Sequence, residues 1–244
     1  MRENAIEVRD LCISYRTLKP MSLRRSLFSL KKNQVEICEA VKHLSFDVEK
    51  GKIVGIVGKN GSGKSTLLRA IAGIFSANSG TIELFGHSVS LLSIGVGFQN
   101  QLSGRENIFL SGLLMGFTER QIQEKLEEII AFSGLGKFID MPVKSYSSGM
   151  FSKLAFSITA ILETDIILID EVLSVGDAAF KKKSYAKMQE LISNEDRTVL
   201  IVSHDMSTLR KLCDEVIWIH EGVLVDKGEP EAILSAYEKQ MLSN

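Results

Sequence analysis

Residues 55–73 read GIVGKNGSGKSTLLRAIAG. Gly58, Gly61 and Gly63 stand in a G-x-x-x-x-G-K-S frame that follows the apolar run KIVGIV and opens an apolar stretch with helical spacing. Glycines let a backbone curl until successive N–H groups converge on phosphate oxygens, and a helix start adds the positive end of its dipole. In such a frame Lys64 reaches the β- and γ-phosphates of a nucleotide, and the Ser65 hydroxyl ligates Mg²⁺. A glycine-rich turn at an ordinary helix start would account for the glycines. It would not account for the Gly-Lys-Ser-Thr ending in a strand–helix context.

A cation at Ser65 needs a carboxylate from elsewhere in the chain. DIILIDE, residues 165–171, supplies one. Asp170 ends an apolar run where its carboxylate reaches the metal shell, and Glu171 follows at once, placed to orient and polarise an attacking water. His204, in LIVSHDM, lies just past another apolar run. Parallel strands present their carboxyl ends at one edge, so Ser65, Asp170 and His204 are expected to converge there. Taken alone, Asp170–Glu171 reads as a helix cap and a single histidine as structural. The phosphate loop on the same edge turns both toward chemistry.

Residues 144–157, KSYSSGMFSKLAFS, pose a different question. A Ser-Ser-Gly turn before an apolar helical stretch caps a helix. The same exposed amides at a helix start also suit an anion.

These residues need a scaffold. The first ninety residues alternate β-like runs with glycine turns: IEVRDLCISY, VKHLSFDV, KIVGIVG, TIELFG and SVSLL, broken by one helix at STLLRAIAGIF. From about Arg105 to Leu162 the spacing is helical, and Thr118 before Glu119 and Gln121 marks a helix start. From Asp165 the pattern becomes strand, helix, strand. DIILID and RTVLIVS are short and almost wholly apolar, as buried parallel strands are. EVIWIHEG and VLVDKG then form a closing pair, and PEAILSAYEKQML a final helix. The expected fold is α/β, with a helical insertion near residues 105–160.

The chain has 244 residues, 45% hydrophobic and 24% charged, enough for one large domain and typical of a globular protein. A formal charge of −1 gives no overall electrostatic footprint for nucleic acid. Cys12, Cys38 and Cys213 are dispersed and odd in number, which argues against a disulfide framework or zinc site. The start, MRENAIEVRD, mixes charges and does not read as a signal peptide. No segment spans a bilayer unaided, so any membrane part comes from another chain. Between Tyr15 and Val41, RTLKPMSLRRSLFSLKKNQVEICEA interrupts two neighbouring strands and is basic throughout its first half. By itself it reads as a solvated excursion, or as an amphipathic basic helix at a membrane surface or membrane partner.

Taken together, these motifs resemble the nucleotide-binding subunit of an ABC transporter. GKNGSGKST resembles the Walker A loop, ILIDE the Walker B strand, SHD the switch histidine, YSSGM (146–150) the signature sequence and SVGD (174–177) the D-loop. They occur in the family's order over nearly the whole chain. The resemblance implies one cassette over residues 1–244, a P-loop NTPase fold. A RecA-like core with an antiparallel β subdomain (about 1–95 and 164–244) would carry an α-helical subdomain (about 100–163) and the basic insertion 16–40. It implies ATP and Mg²⁺ held by Gly58, Asn60, Gly61, Ser62, Gly63, Lys64, Ser65 and Thr66, with Tyr15 stacked on the adenine. Gln99 would join Ser65 and Asp170 on the metal and couple the nucleotide to the membrane subunit, with Gln101 as the alternative.

The family packs two cassettes head to tail. The resemblance therefore implies that Ser147, Ser148 and Gly149 of one chain meet the γ-phosphate held by the other, with Asp177 communicating across the dimer. Catalysis would fall to Glu171, His204 and Lys64. Two departures stand out: Ser148 replaces a signature glycine, limiting the backbone where positive φ is needed, and Met150 replaces a glutamine.

YSSGM, EVLSVGDAAFKKK, GVGFQNQLSGRENI and the insertion after Tyr15 are similar to the ATPases of bacterial exporters of O-antigens, capsules and teichoic acids. That similarity implies a separate membrane permease in a two-plus-two assembly and a polyprenyl-diphosphate-linked glycan as cargo. It implies a peripheral position at the cytoplasmic face of the inner membrane, with the insertion near the permease. An ABC ATPase for a lipid, drug or peptide, or a soluble non-transport one, is the alternative.

Overall fold

The computed structural model describes residues 3–18, 35–92, 95, 97–170, 177–194 and 196–242. Its centre is made by three short apolar runs, β3 (Ile53–Val57), β6 (Ile166–Asp170) and β7 (Thr198–Val202). With β5 (Val89–Leu92), β8 (Glu215–His220) and β9 (Val223–Gly228) they form a sheet in the order β5-β6-β7-β3-β8-β9. Pairing is parallel from β5 to β8, and β9 closes the edge antiparallel to β8. The α/β class expected from the sequence is the one that forms.

The near-continuous apolarity of β6 and β7 has a direct cause: both faces of the sheet are covered. Ile166, Leu168, Leu200 and Val202 point to one core, and Ile167, Ile169, Val199 and Ile201 to another. The first core lies under an antiparallel sheet of β1 (Asn4–Leu18), β2 (Val35–Glu49) and β4 (Ser79–Glu83), ordered β2-β1-β4. It also takes in the buried face of α1 (Lys64–Ile71). The second lies under α5 (Ala178–Ile192) and α7 (Pro230–Leu242).

A third apolar cluster belongs to α2 (Gly104–Leu114), α3 (Glu119–Ser133) and α4 (Ser148–Ile161). Thr118 starts α3 as expected: its hydroxyl accepts from Gln121 N while Gln121 reaches back, a reciprocal capping box. α1 is shorter than its apolar run suggested. Gly73 takes φ 71 and Ile74 N–H returns to Arg69 O at 2.9 Å, a Schellman stop.

The excursion after Tyr15 begins as a continued ladder. β1 and β2 pair on through Arg16↔Ile37 to Leu18↔Val35. The basic stretch beyond, 19–34, lies outside the described residues, as do Glu171 and the first three residues of SVGD. Among the described residues, no helix is long and apolar enough to cross a membrane.

Candidate functional site

The loop between β3 and α1 is wedged between two strands. A Cβ on Gly58 would stand 2.1 Å from Ile219 O of β8, and one on Gly63 2.1 Å from Ala40 O of β2. Gly63 also holds φ 100, in the left-handed region. Both positions are therefore closed to any side chain. Inside the curl, the Lys64 side chain is buried and its Nζ donates to Gly58 O (2.7 Å) and Lys59 O (3.0 Å). Ser62 is 3% exposed, and its Oγ finds no hydrogen-bond partner among the described residues.

The helix that follows begins without a side-chain cap. By contrast α2, α3, α4 and α5 start on Ser103, Thr118, Ser147 and Asp177, each accepting from the first turn. A missing cap costs about 1 kcal/mol. Burial of Leu67, Leu68 and Ile71, at about 1.5–3 kcal/mol each, outweighs it. The amides of α1 are thus left for an anion.

A cavity of about 390 Å³ opens over this helix start. Asn60, Gly61 and Thr66 line it from the loop side, Tyr15, Cys38 and Ala40 from the β1–β2 ladder. The Tyr15 hydroxyl donates to Thr66 Oγ1 (3.0 Å), and its ring meets Phe75 edge-on at 5.7 Å. Tyr15 is therefore held before anything stacks on it.

Ser65 Oγ donates to Asp170 Oδ1 at 3.0 Å. This brings together the hydroxyl and carboxylate picked out in the sequence. Among the described residues no group of three or more His, Cys, Asp or Glu side chains could hold a metal. Two hard oxygens suit a cation that keeps waters and completes its shell with substrate phosphates, as Mg²⁺ does. The residues fit that ion. Asp170 is paired in register with Val202, two residues before His204, so His204 follows β7 at the same sheet edge, exposed. Glu171 lies outside the described residues.

Asp205, beside His204, caps α6 (Met206–Leu212). The Ser207 hydroxyl, then that of Thr208 and the Thr208 amide, hold its carboxyl down to about 2. A depressed folded value means the charge stabilises fully above the ordinary 3.8 and is lost as pH falls toward 2. The denaturant midpoints of the wild type and Asp205→Asn should therefore draw together as pH falls from about 4 to about 2. A constant gap would remove the charge from this cap.

The Ser-Ser-Gly turn forms a second hollow, of about 440 Å³, together with Lys153 and Asp177. It shares no residue with the cavity over α1. Ser147 Oγ accepts from Met150 N at 3.2 Å, so the capping described for this turn is real. Neither Ser148 nor Gly149 takes positive φ, so serine at 148 strains nothing. A Cβ on Gly149 would meet only Ser147 Oγ, at 3.9 Å. Among the described residues nothing requires glycine there. Met150 packs partly against the third apolar cluster, which gives its departure from glutamine a structural reason.

Gln99 is exposed and bonded through its main chain: its N–H donates to Asn107 Oδ1 (2.7 Å), and its carbonyl accepts from Asn107 Nδ2 (3.1 Å) and from Leu102 N–H (3.1 Å). Gln101 accepts instead from Lys144 Nζ (3.3 Å). Neither is bonded to Ser65 or Asp170. Three contributors went unread in the sequence. Cys38 and Ala40 reach the first cavity only through the β1–β2 register, which no local signal reports. Lys153 had a signal: four residues past Gly149 puts it on that glycine's helix face. Its ammonium pairs with Asp177, and this pairing, then the Phe180 amide, holds that carboxyl at about 2.

A family model described as ABC transporter matches residues 41–174. Among curated relatives, the O-antigen export system ATP-binding protein RfbB of Myxococcus xanthus is 40% identical over 225 residues, 92% of this chain and 51% of its own length. The teichoic acids export ATP-binding protein TagH of Lactococcus lactis is 48% identical over 82% of this chain and 42% of its own. A Klebsiella pneumoniae RfbB is 44% identical, with 83% of this chain and 82% of the relative covered. The chain thus spans about half the length of the first two. A solved ATP-binding subunit of an ABC transporter superposes with TM-score 0.69 at 20% identity, covering 96% of this chain and 93% of that one. A dimeric ATP-binding cassette with ADP and Pi superposes at 0.67 and 18%, covering 92% and 98%. Both show the fold.

Proposed function

Because this chain belongs to the ABC transporter family, we propose that it is the ATP-binding and hydrolysing subunit of an exporter for a lipid-linked polysaccharide, of the O-antigen, capsule or teichoic acid type. One observation carries the ATPase part. The chain holds a phosphate cavity with an uncapped helix start, and a separate Ser147–Gly149 hollow whose glycine has no internal cause. Each is half of a site that two chains complete head to tail. The cargo class rests on the relatives, which are named for O-antigen and teichoic acids export.

In the proposed cycle Tyr15 stacks the adenine, and Gly58, Asn60, Gly61, Ser62, Gly63 and Thr66 wrap the phosphates. Lys64 binds the β- and γ-phosphates. Ser65 and Asp170, with Gln99 reaching in from its exposed segment, would hold Mg²⁺, which would neutralise phosphate charge. Ser147, Ser148 and Gly149 of the second chain close over the γ-phosphate with their helix-start amides. Glu171 takes a proton from the attacking water, and His204 and Lys64 stabilise charge on the transferring group. Asp177 carries the state of one site across to the other, and closure turns an attached pair of permease subunits. The chain then sits peripherally at the cytoplasmic face of a bacterial membrane.

The test is the lipid-linked glycan content of the cytoplasm in source cells where Lys64→Ala replaces the wild type. Accumulation of one polymer is expected, and its sugars name the cargo. Normal surface polymers with no accumulation would overturn the polysaccharide assignment and leave another cargo.

A further inference from the structure

The Ser147–Gly149 hollow contains a cation that the cycle above gives no task. Lys153 lies on α4 one turn past the hollow's floor, and its ammonium closes on the Asp177 carboxylate. Its side chain is 21% exposed, against 60% for Asp177. The same ammonium stands 5.5 Å from the centre of the Phe180 ring. Asp177 Oδ1 in turn accepts the Phe180 amide at 3.0 Å. Lys153 therefore grips the start of α5 at its cap and at its third residue. Phe180 is itself fixed in the core, with ring centres 5.8 Å from Phe132 and 6.0 Å from Phe156.

Stability alone gives this arrangement little purpose. Half-exposed ion pairs contribute little. Asp177 caps α5 through its own main-chain contacts, and Phe180 is packed by the other two rings. Further along, α4 and α5 meet through Phe156 and Phe180; the ion pair ties the first turns of α4 directly to the cap of α5. Ser147 and Gly149 stand at one of these, and Asp177 at the other.

We propose that Lys153 is a positioning residue of the shared site: it locks the Ser147–Gly149 turn to Asp177, so that both reach the partner chain's nucleotide as one rigid unit. This rests on the two-chain ATPase reading. The cation acts through Asp177 and needs no contact with phosphate.

The test uses the full chain and four variants: Lys153→Met, Lys153→Arg, Asp177→Asn, and Lys153→Met with Asp177→Asn. Asparagine still caps a helix, so Asp177→Asn removes charge and keeps the turn. Lys153→Met should lower kcat about tenfold, since small misplacements near reacting groups are costly. KM for ATP should stay within about twofold and the melting temperature within about 2 °C, because neither the loop nor the core is touched. Lys153→Arg should recover at least about a third of the rate, and the double variant should be no slower than the slower single one.

Additive losses in the double variant would overturn the inference, because the two residues would then act separately. So would a fall in melting temperature together with a rise in KM, which a merely structural lysine gives. Normal wild-type turnover with an unimpaired Lys153→Met overturns this inference alone. A wild type without ATP turnover overturns the ATPase reading and this inference with it.

Discussion

Lys64→Ala should raise the dissociation constant for ATP more than about 100-fold, about 3 kcal/mol, in a direct binding titration of the purified chain. The size follows from where the ammonium sits. It is 6% exposed and holds the carbonyls of Gly58 and Lys59 at 2.7 and 3.0 Å. Charged hydrogen bonds of this kind contribute about 1.5–3 kcal/mol each, and a phosphate contact adds to them. Alanine removes the phosphate's counter-charge and the brace of the loop together. The helix behind the loop survives, because Leu67, Leu68 and Ile71 remain buried. Undiminished affinity would remove Lys64, and the loop it braces, from nucleotide binding.

Gly149→Asp should have the opposite profile: an unchanged fold and a lost activity. The new Cβ meets one atom, at an ordinary 3.9 Å, and the residue stands in the first turn of α4, where a carboxylate is favoured by about 0.3–1 kcal/mol. The melting temperature should hold or rise slightly. ATP turnover should fall at least about 100-fold, because a fixed negative charge then occupies the hollow that the proposed cycle gives to the partner's γ-phosphate. A mixture with Lys64→Ala makes the argument sharper. One chain supplies an intact turn and the other an intact loop, so the mixture should turn over faster than either variant alone. No recovery would mean that each chain's loop and turn do not serve a common site.

Much of this was visible in the residues. The strands β3, β6 and β7 announced themselves because burial on both faces demands unbroken apolar runs. The phosphate loop did so because main-chain amides can converge only where glycines allow it. Ser65 and Asp170, 105 positions apart, were joined by the rule that parallel strands end on one edge. What escaped depended on registers and rotamers. Cys38 and Ala40 line the cavity because Tyr15 pairs with Cys38 rather than with a neighbour. The Tyr15–Thr66 bond and the Lys153–Asp177 pair are long-range side-chain contacts that no spacing encodes. Gln99 shows the reverse: a motif position was legible, but its side chain is not bonded to Ser65 or Asp170, and its main chain is tied down by Asn107 and Leu102.

The wedge on Gly58 and Gly63 has a bearing on how this sequence can drift. There the obstacle is a carbonyl oxygen of another strand, and a backbone cannot be exchanged for something smaller. No compensating change elsewhere can open either position. Ser148 and Met150 stand under no such constraint, one exposed at a helix start and the other turned partly into an apolar cluster, and these are two of the places where the chain departs from its family's signature pattern. Gly149 between them is unhindered from within yet still glycine. Substitution is therefore open where the fold leaves slack and closed where a neighbouring strand fills the space, and in the proposed assembly the limit at Gly149 comes from a visitor outside the chain.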